Sequence, residues 1–318
     1  MNFFTKIDVP AADFKIDYTS RLAFFGSCFA DNISAQFAER KFKVMANPFG
    51  TVYNPVSLAS QTKAIADGKV FGEEDVFQDT RCDGLWHCWD AHSSLSAHAR
   101  EECVDKLNAA TTQARDFLRK ADAVFITLGT AFVYYLKDSG KPVSNCHRQD
   151  PNLFTRRMIS VDEATEAICE TIASIRQLNP HAHIVFTVSP LRHMSDGAHS
   201  NNLSKATLQL AIHNALEKSV AEYFPSYEIV MDELRDYRFY SDDMIHLSKT
   251  AEEYIFERMV ETYCDSTTRE NIAKVEKFMK MANHRIQDEN SPAMQEFKEK
   301  LAKQAAELEK GITGLKLD

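Results

Sequence analysis

A serine that ends a β-like run and opens a helical one is a candidate nucleophile, and Phe25-Gly26-Ser27-Cys28-Phe29-Ala30 has that form. Leu22 to Gly26 is a short apolar run, while Phe29, Ile33 and Phe37 repeat with helical spacing. Glycine permits a tight turn, the hydroxyl then stands at a sheet edge, and helix N-terminal amides can receive the charge that builds on an attacked carbonyl oxygen. Taken alone the pattern reads first as a helix cap, because serine is a preferred N-cap residue. A second element changes that. Tyr240-Ser241-Asp242-Asp243-Met244-Ile245-His246-Leu247-Ser248 follows the last apolar run and precedes a helix. Asp243 and His246 share one turn, so the carboxylate can fix the imidazole tautomer and stabilise the imidazolium formed when histidine takes the serine proton. Ser27, Asp243 and His246 are the candidate catalytic residues, and the assignment requires three distant side chains to meet in one cleft.

The elements that would position them alternate. Short β-rich runs at Leu22 to Gly26, Phe42 to Ala46, Ala123 to Leu128, His183 to Val188 and Tyr227 to Met231 are separated by amphipathic stretches around 29–41, 56–67, 98–120, 161–178, 201–223 and 248–264. This alternation predicts a three-layer α/β/α sandwich around a mostly parallel five-stranded sheet, with any ligand at the carboxyl ends of the strands. Beyond about residue 264 the composition turns to Lys, Glu, Ala and Gln, with no further strand. Ile272, Val275, Met279, Ala282 and Ile286 share one helical face, as do Phe297, Leu301 and Leu308, and Ser291-Pro292 starts a helix. The expected division is a domain over 1–264 and a helical extension over 265–318, packed on the domain or on a second copy of the chain.

Gly26-Ser27-Cys28-Phe29-Ala30 resembles the signature of the GSCFA family, a branch of the SGNH (GDSL-type) hydrolases. Further stretches resemble that family too: Asn47-Pro48-Phe49-Gly50-Thr51, Leu128-Gly129-Thr130-Ala131-Phe132-Val133-Tyr134, Asn145-Cys146-His147, Ser189-Pro190-Leu191-Arg192-His193 and Asp243-Met244-Ile245-His246. Together they span residues from about 20 to about 260. The resemblance implies a flavodoxin-like hydrolase in which Ser27 attacks an ester carbonyl, His246 is general base and Asp243 orients it. The Ser27 amide would belong to the oxyanion hole, with Gly50 either a second backbone donor or a plain turn glycine. One position departs from the wider pattern. Where SGNH enzymes carry Gly-x-Asn-Asp, this chain has Gly129-Thr130-Ala131-Phe132, and Ala131 has no donor to offer. Asn145 and Thr130 are the substitutes, Asn145 also suiting a turn or cap.

Other residues admit two readings each. Cys82, His87, Cys88 and His92 are zinc-type ligands at a spacing that matches no standard site. Trp86, Trp89 and His92 either line a substrate pocket or pack a loop. Arg192 and His193 follow the fourth strand, and Arg192 either binds a substrate carboxylate or pairs with an aspartate. Cys28 is a conceivable thiol nucleophile, but the pattern turns it into the helix as a small buried residue.

With 37 basic and 46 acidic residues the chain carries a net charge of −9 and no Lys/Arg stripe, which argues against nucleic acid as a partner. Met1 to Asp8 has no basic segment leading into an apolar run, and no stretch reaches the roughly 20 apolar residues that cross a bilayer. Seven cysteines at scattered spacings fit reduced thiols, and the expected location is the cytoplasm. The combined expectation is a bacterial-type serine esterase without a cofactor, acting through an acyl-enzyme on acyl or acetyl esters of carbohydrates or small hydroxylated molecules. Its rivals are acyl transfer by the same triad and a degenerate binding or scaffold protein.

Overall fold

In a computed structural model, residues 4–82, 84–283 and 292–317 are described. The expectations for Met1 to Phe3, Ile286 and Ser291 lie outside them. The main sheet holds β1 (Arg21–Gly26), β2 (Lys43–Ala46), β3 (Ala123–Leu128), β4 (His183–Val188) and β5 (Glu222–Tyr223) in the order β2-β1-β3-β4-β5, with parallel pairing throughout. Helices α1 (Cys28–Glu39), α2 (Pro55–Asp67), α3 (Arg100–Leu118), α4 (Val161–Leu178), α5 (Ala198–Lys218) and α6 (Lys249–Tyr263) fall between and after the strands. Two more, α7 (Ser266–Ala282) and α8 (Pro292–Gly311), complete the chain.

Strand periodicity accounts for the three layers. Successive side chains of a strand point to opposite faces. Leu22 and Phe24 of β1, Phe125 of β3 and Val185 of β4 join Phe37, Phe256 and Val275 of α1, α6 and α7 in one buried cluster. Phe25, Val124, Ile126, Ile184 and Phe186 join Leu58, Leu107, Ile168 and Leu208 of α2 to α5 in the other. Both faces are covered, so the strands read as continuous apolar runs.

Four of the five expected strands stand within a residue of their predicted limits. The fifth does not. Tyr227 to Met231, expected as a strand, is helical: residues Ser226–Glu228 form a helical turn that runs into a π-helical turn at Ile229–Glu233. Pro225 accepts the Ile229 N–H, and Ser226, fully buried, donates its hydroxyl to the Val188 carbonyl. These bonds close a helical turn despite the β-branched residues, and the edge strand is the shorter Glu222–Tyr223, paired with Val185 and Phe186.

The C-terminal helices share the core of the α1 face. Ile272, Val275, Ile312 and Leu315 are buried there beside Tyr18. Arg40, at the end of α1, is buried over the Phe256 ring at 4.0 Å and pairs with Glu253 of α6 and Glu276 of α7. Between β3 and α4 the chain inserts a three-stranded antiparallel sheet, with Phe132–Leu136 between Pro142–Val143 and Phe154–Met158.

The strand order reverses between β1 and β3, which opens a crevice at their carboxyl ends. Gly26 closes β1 there with φ of +121°, and a Cβ on it would lie 2.0 Å from the Thr127 carbonyl oxygen. Gly26→Ala is therefore expected to cost about 3 kcal/mol or more, through backbone strain and a clash with fixed backbone. Urea unfolding checks this, and a midpoint matching wild type would show that the β1–β3 contact gives way.

Candidate active site at the sheet switch point

Ser27 occupies the N-cap position of α1 with extended backbone, φ −71° and ψ 173°, yet its side chain caps nothing. Its Oγ is buried and has no hydrogen-bond partner among the described residues. The position is held tightly all the same. The Ser27 N–H donates to Thr127 O at 3.1 Å, the Gly26 N–H donates to Asn47 Oδ1 at 2.8 Å, and Asn47 Nδ2 donates to Asp31 Oδ1 at 2.7 Å. Asn47 itself adopts φ of +39°, a conformation asparagine tolerates better than most residues. Thr51 Oγ1 donates to the second Asp31 oxygen at 3.2 Å. Asp31 in the first turn of α1 thus ties the loop after β2 to the turn after β1.

Ser27 lines a cleft of about 460 Å³, together with Cys28, Tyr53, Gly129, Thr130, Asn145, Ser189 and His193. Phe132, Tyr134 and Arg156 of the inserted sheet form part of its wall. Arg156 lies 4.2 Å from the Phe132 ring centre and 5.2 Å from that of Tyr134, and it pairs with Asp196, which also lines the cleft. That carboxylate neutralises the guanidinium, so this wall is aromatic and polar without net charge.

Asp243 and His246 are joined as the sequence suggests. His246 Nδ1 stands 2.5 Å from Asp243 Oδ2, while Asp243 Oδ1 accepts the N–H groups of Ile245 and His246 at 2.9 Å. The loop closes on itself through Ser241 N–H to His246 O and Met244 N–H to Ser241 O, with Met244 at φ of +58°. The His246 bond, followed by the two backbone N–H donors, holds the Asp243 carboxyl down at about 2. With Nδ1 given to Asp243, Nε2 is the nitrogen left to accept a proton. His246 and Asp243 are about half exposed, and His246 packs edge-on against His193 with ring centres 5.8 Å apart. His193 lines the cleft with Ser27, whereas Asp243 and His246 are not among the residues that line it. Ser27 Oγ makes no hydrogen bond to His246.

The remaining expected site residues divide. Thr130 and Asn145 line the cleft, though Thr130 Oγ1 is engaged with Ser204 Oγ at 3.1 Å and accepts the Phe132 N–H. Asn145 Oδ1 accepts the His147 N–H at 2.8 Å, as in an Asx turn, and this orients the amide. Gly50 is a turn glycine. Its φ is +82°, its N–H donates to Asn47 O at 2.7 Å, and a Cβ on it would strike His92, so it has no free amide for an oxyanion. The Ser27 amide is committed in the same way to Thr127. His92 packs on Gly50 and accepts the Ser94 N–H, away from the cleft. Arg192 is not among the residues that line the cleft; it donates to the side-chain oxygens of Asn201 and Asn202, amides instead of the expected aspartate.

Trp89 stacks on Phe77 at 3.8 Å and Trp86 carries Arg100 on its face, both as loop packing. His87 stacks on buried His147, whose imidazole burial pushes down to about 4. Among the described residues no cluster of three or more His, Cys, Asp or Glu gathers to hold a metal ion. Nor is any helix among them long and apolar enough to cross a membrane. The Cys28 thiol is pushed up by burial and by Asp31, against the pull of the Phe29 and Cys28 N–H groups in the first turn of α1. A thiol raised in this way is a poor nucleophile near neutral pH.

His193, which follows the fourth strand at the carboxyl edge as read from the sequence, lines the cleft, while Asn47 and Asp31 as supports and Lys205 escaped sequence reasoning. Lys205 carried no signal, because a lysine in an amphipathic helix reads as solvent-facing.

The model of the family described as the GSCFA family matches residues 21–259. Comparison with curated proteins gives no match. Among solved structures, an acetyl xylan esterase (Est2A) from the rumen bacterium Butyrivibrio proteoclasticus is 12% identical with a TM-score of 0.36, over 81% of this chain and 64% of that one. A carbohydrate esterase family 2 enzyme with its carbohydrate binding domain, from Corynascus thermopiles (Myceliophthora fergusii), is 12% identical with a TM-score of 0.35, over 81% of this chain and 68% of that one. The chain spans just under two thirds of the first of these.

The Asp243–His246 bond has its own test. In a carbon-detected NMR titration Asp243 is expected to change protonation near 2, and in His246→Ala to move up toward the ordinary carboxylate range near 4. An unchanged Asp243 titration would mean that the backbone donors alone hold it down.

Proposed function

The chain belongs to the GSCFA family, and from that premise we propose that it is a serine hydrolase of SGNH type that cleaves small acyl esters, with Ser27 as nucleophile, His246 as base and Asp243 as its orienting carboxylate. One observation carries the reading. A buried hydroxyl at a helix N-cap normally caps the helix or finds another partner, since an unmet one costs about 1–3 kcal/mol. Ser27 Oγ does neither, at the floor of a cleft and at the switch point of the sheet.

In this reading a rotation about the Ser27 Cα–Cβ bond turns Oγ into the cleft. Oγ forms a bond to the ester carbonyl carbon as its proton passes to Nε2 of His246, and the carbonyl π electrons move onto oxygen. The imidazolium is stabilised by Asp243. Collapse of the tetrahedral intermediate expels the alcohol, which takes the proton from His246. Water then attacks the acyl-enzyme with His246 again as base, releasing the acid and restoring Ser27. With the Ser27, Gly50 and Ala30 amides committed elsewhere, the oxyanion falls to the Cys28 and Phe29 N–H groups that open α1 and to Asn145 Nδ2.

The uncharged aromatic wall of Phe132, Tyr134 and paired Arg156 suits a hydroxylated, neutral substrate such as an acetylated sugar. The same acyl-enzyme would serve transfer if a sugar hydroxyl replaced water. Supplying an acceptor beside the ester and identifying the acylated product separates the two.

Wild type is expected to release p-nitrophenol from the acetate ester and to be labelled by a fluorophosphonate. Ser27→Ala should lose both, and His246→Ala should lose on the order of 10⁶-fold in kcat. Labelling retained in Ser27→Ala would put the nucleophile elsewhere, and unlabelled wild type would favour a binding protein on a hydrolase fold.

A further inference from the structure

Lys205 of α5 is 2% exposed and stands at the back of the cleft. Its ammonium donates to Gly129 O at 2.8 Å and to Ser189 O at 2.7 Å. These are the first residues after β3 and β4, adjacent strands paired to their ends at Leu128 and Val188. Both residues line the cleft. The preceding residue of α5, Ser204, grips the same segment, its Oγ accepting the Ala131 N–H at 2.7 Å and bonding Thr130 Oγ1.

From the other side the Tyr53 carbonyl accepts the Gly129 and Thr130 N–H groups at 2.8 and 2.9 Å. Gly129 has no room to drift. A Cβ on it would lie 3.3 Å from the Tyr53 ring and 3.4 Å from Ser27 Cβ, so a side chain there would fill the space between it and the serine.

We infer that Lys205, through the Gly129 and Ser189 carbonyls, is a positioning residue that holds the cleft wall against Ser27 and must be protonated to do so. The inference rests on Ser27 being the nucleophile. A neutral amine offers one donor fewer and no charge, so it holds two carbonyl dipoles less firmly than an ammonium does. Burying a lysine without a carboxylate is costly, which makes a purely passive role an expensive use of the position.

The groups that face Lys205 are consistent with a titrating ammonium. Burial first and then Arg192 on the loop after β4 lower it, the Cys28 thiol at the start of α1 acts the other way, and together they leave it at about 7. Lys205 in turn helps to lower His193, behind burial and His246. The sign follows directly. The group is charged below its pKa, so support of the wall is complete in mild acid and fades as pH rises through about 7.

The test follows kcat, KM and the rate of fluorophosphonate labelling from about pH 6 to about pH 9 in wild type, Lys205→Met and Lys205→Arg, with Ser27→Ala as blank. Wild type is expected to show an alkaline loss of kcat and of labelling rate. Lys205→Met should be slower by about tenfold to a hundredfold at pH 6, with KM within about threefold and no alkaline loss. Lys205→Arg keeps its charge throughout and should restore part of the rate without the alkaline loss. Circular dichroism establishes that each variant is folded, and the wild-type pH profile decides the matter if a variant does not fold. A flat wild-type profile, or a Lys205→Met variant that labels at the wild-type rate with the wild-type profile, overturns the inference while leaving Ser27 as nucleophile. Wild type that is not labelled at all overturns the serine assignment and this inference with it.

Discussion

The contact between the end of β1 and the backbone of β3 sets the geometry of the whole site. Parallel pairing brings Gly26 alongside Thr127, and the chain must leave the sheet there with a positive φ and no side chain. The next residue then takes extended backbone at the mouth of α1, its N–H bound to Thr127 O, and its hydroxyl misses the capping geometry serine usually adopts. Asn47 completes the arrangement by filling the Gly26 N–H that β2 does not reach, with Asp31 of α1 holding Asn47 in turn. A buried polar network of this kind is stable only when its members are satisfied. Ser27 Oγ is the member that is not.

Short continuous apolar runs, separated by stretches of helical spacing, make the sandwich and four of its five strands legible, because burial on both faces leaves a continuous apolar signature. Tyr227 to Met231 has the same signature, and there the local Ile229 N–H to Pro225 O bond and the tertiary bond from Ser226 Oγ to Val188 O accompany a helical turn instead. Edge strands of two residues carry too little pattern to be seen. The Asp243–His246 pair was legible for a different reason. Both partners sit on one turn, so their meeting depends on local geometry alone.

Gly50, His92 and Arg192 were harder, since the question there is which groups are already engaged. Gly50 lies in the segment where a donor was expected, yet its amide closes a turn on Asn47. Arg192 follows β4, yet two asparagines of α5 draw it aside. Sequence reports donors and acceptors by type. Their commitments are set by contacts from α5 and from the loop after β2, far away along the chain.

Ala131 shows how such commitments reshape a site. Its side chain is fully buried in the α2–α5 core, its N–H is held by Ser204 and its carbonyl accepts the Ile159 N–H. An asparagine there would carry an amide into an apolar cluster, at about 1–3 kcal/mol for each polar group left unmet. The position therefore could not supply an oxyanion donor even with the usual residue in place, unless the segment turned over. What the segment does instead is anchor the inserted sheet, whose first strand begins at the next residue and brings Phe132 and Tyr134 to the cleft. Ser204 and Lys205 bind Gly129 to Ala131 from α5 as Tyr53 binds them from the loop after β2. Ala131 and the buried lysine behind it thus serve one segment, in which the loop after β3 carries an apolar side chain into the core and leads directly into the sheet that walls the cleft.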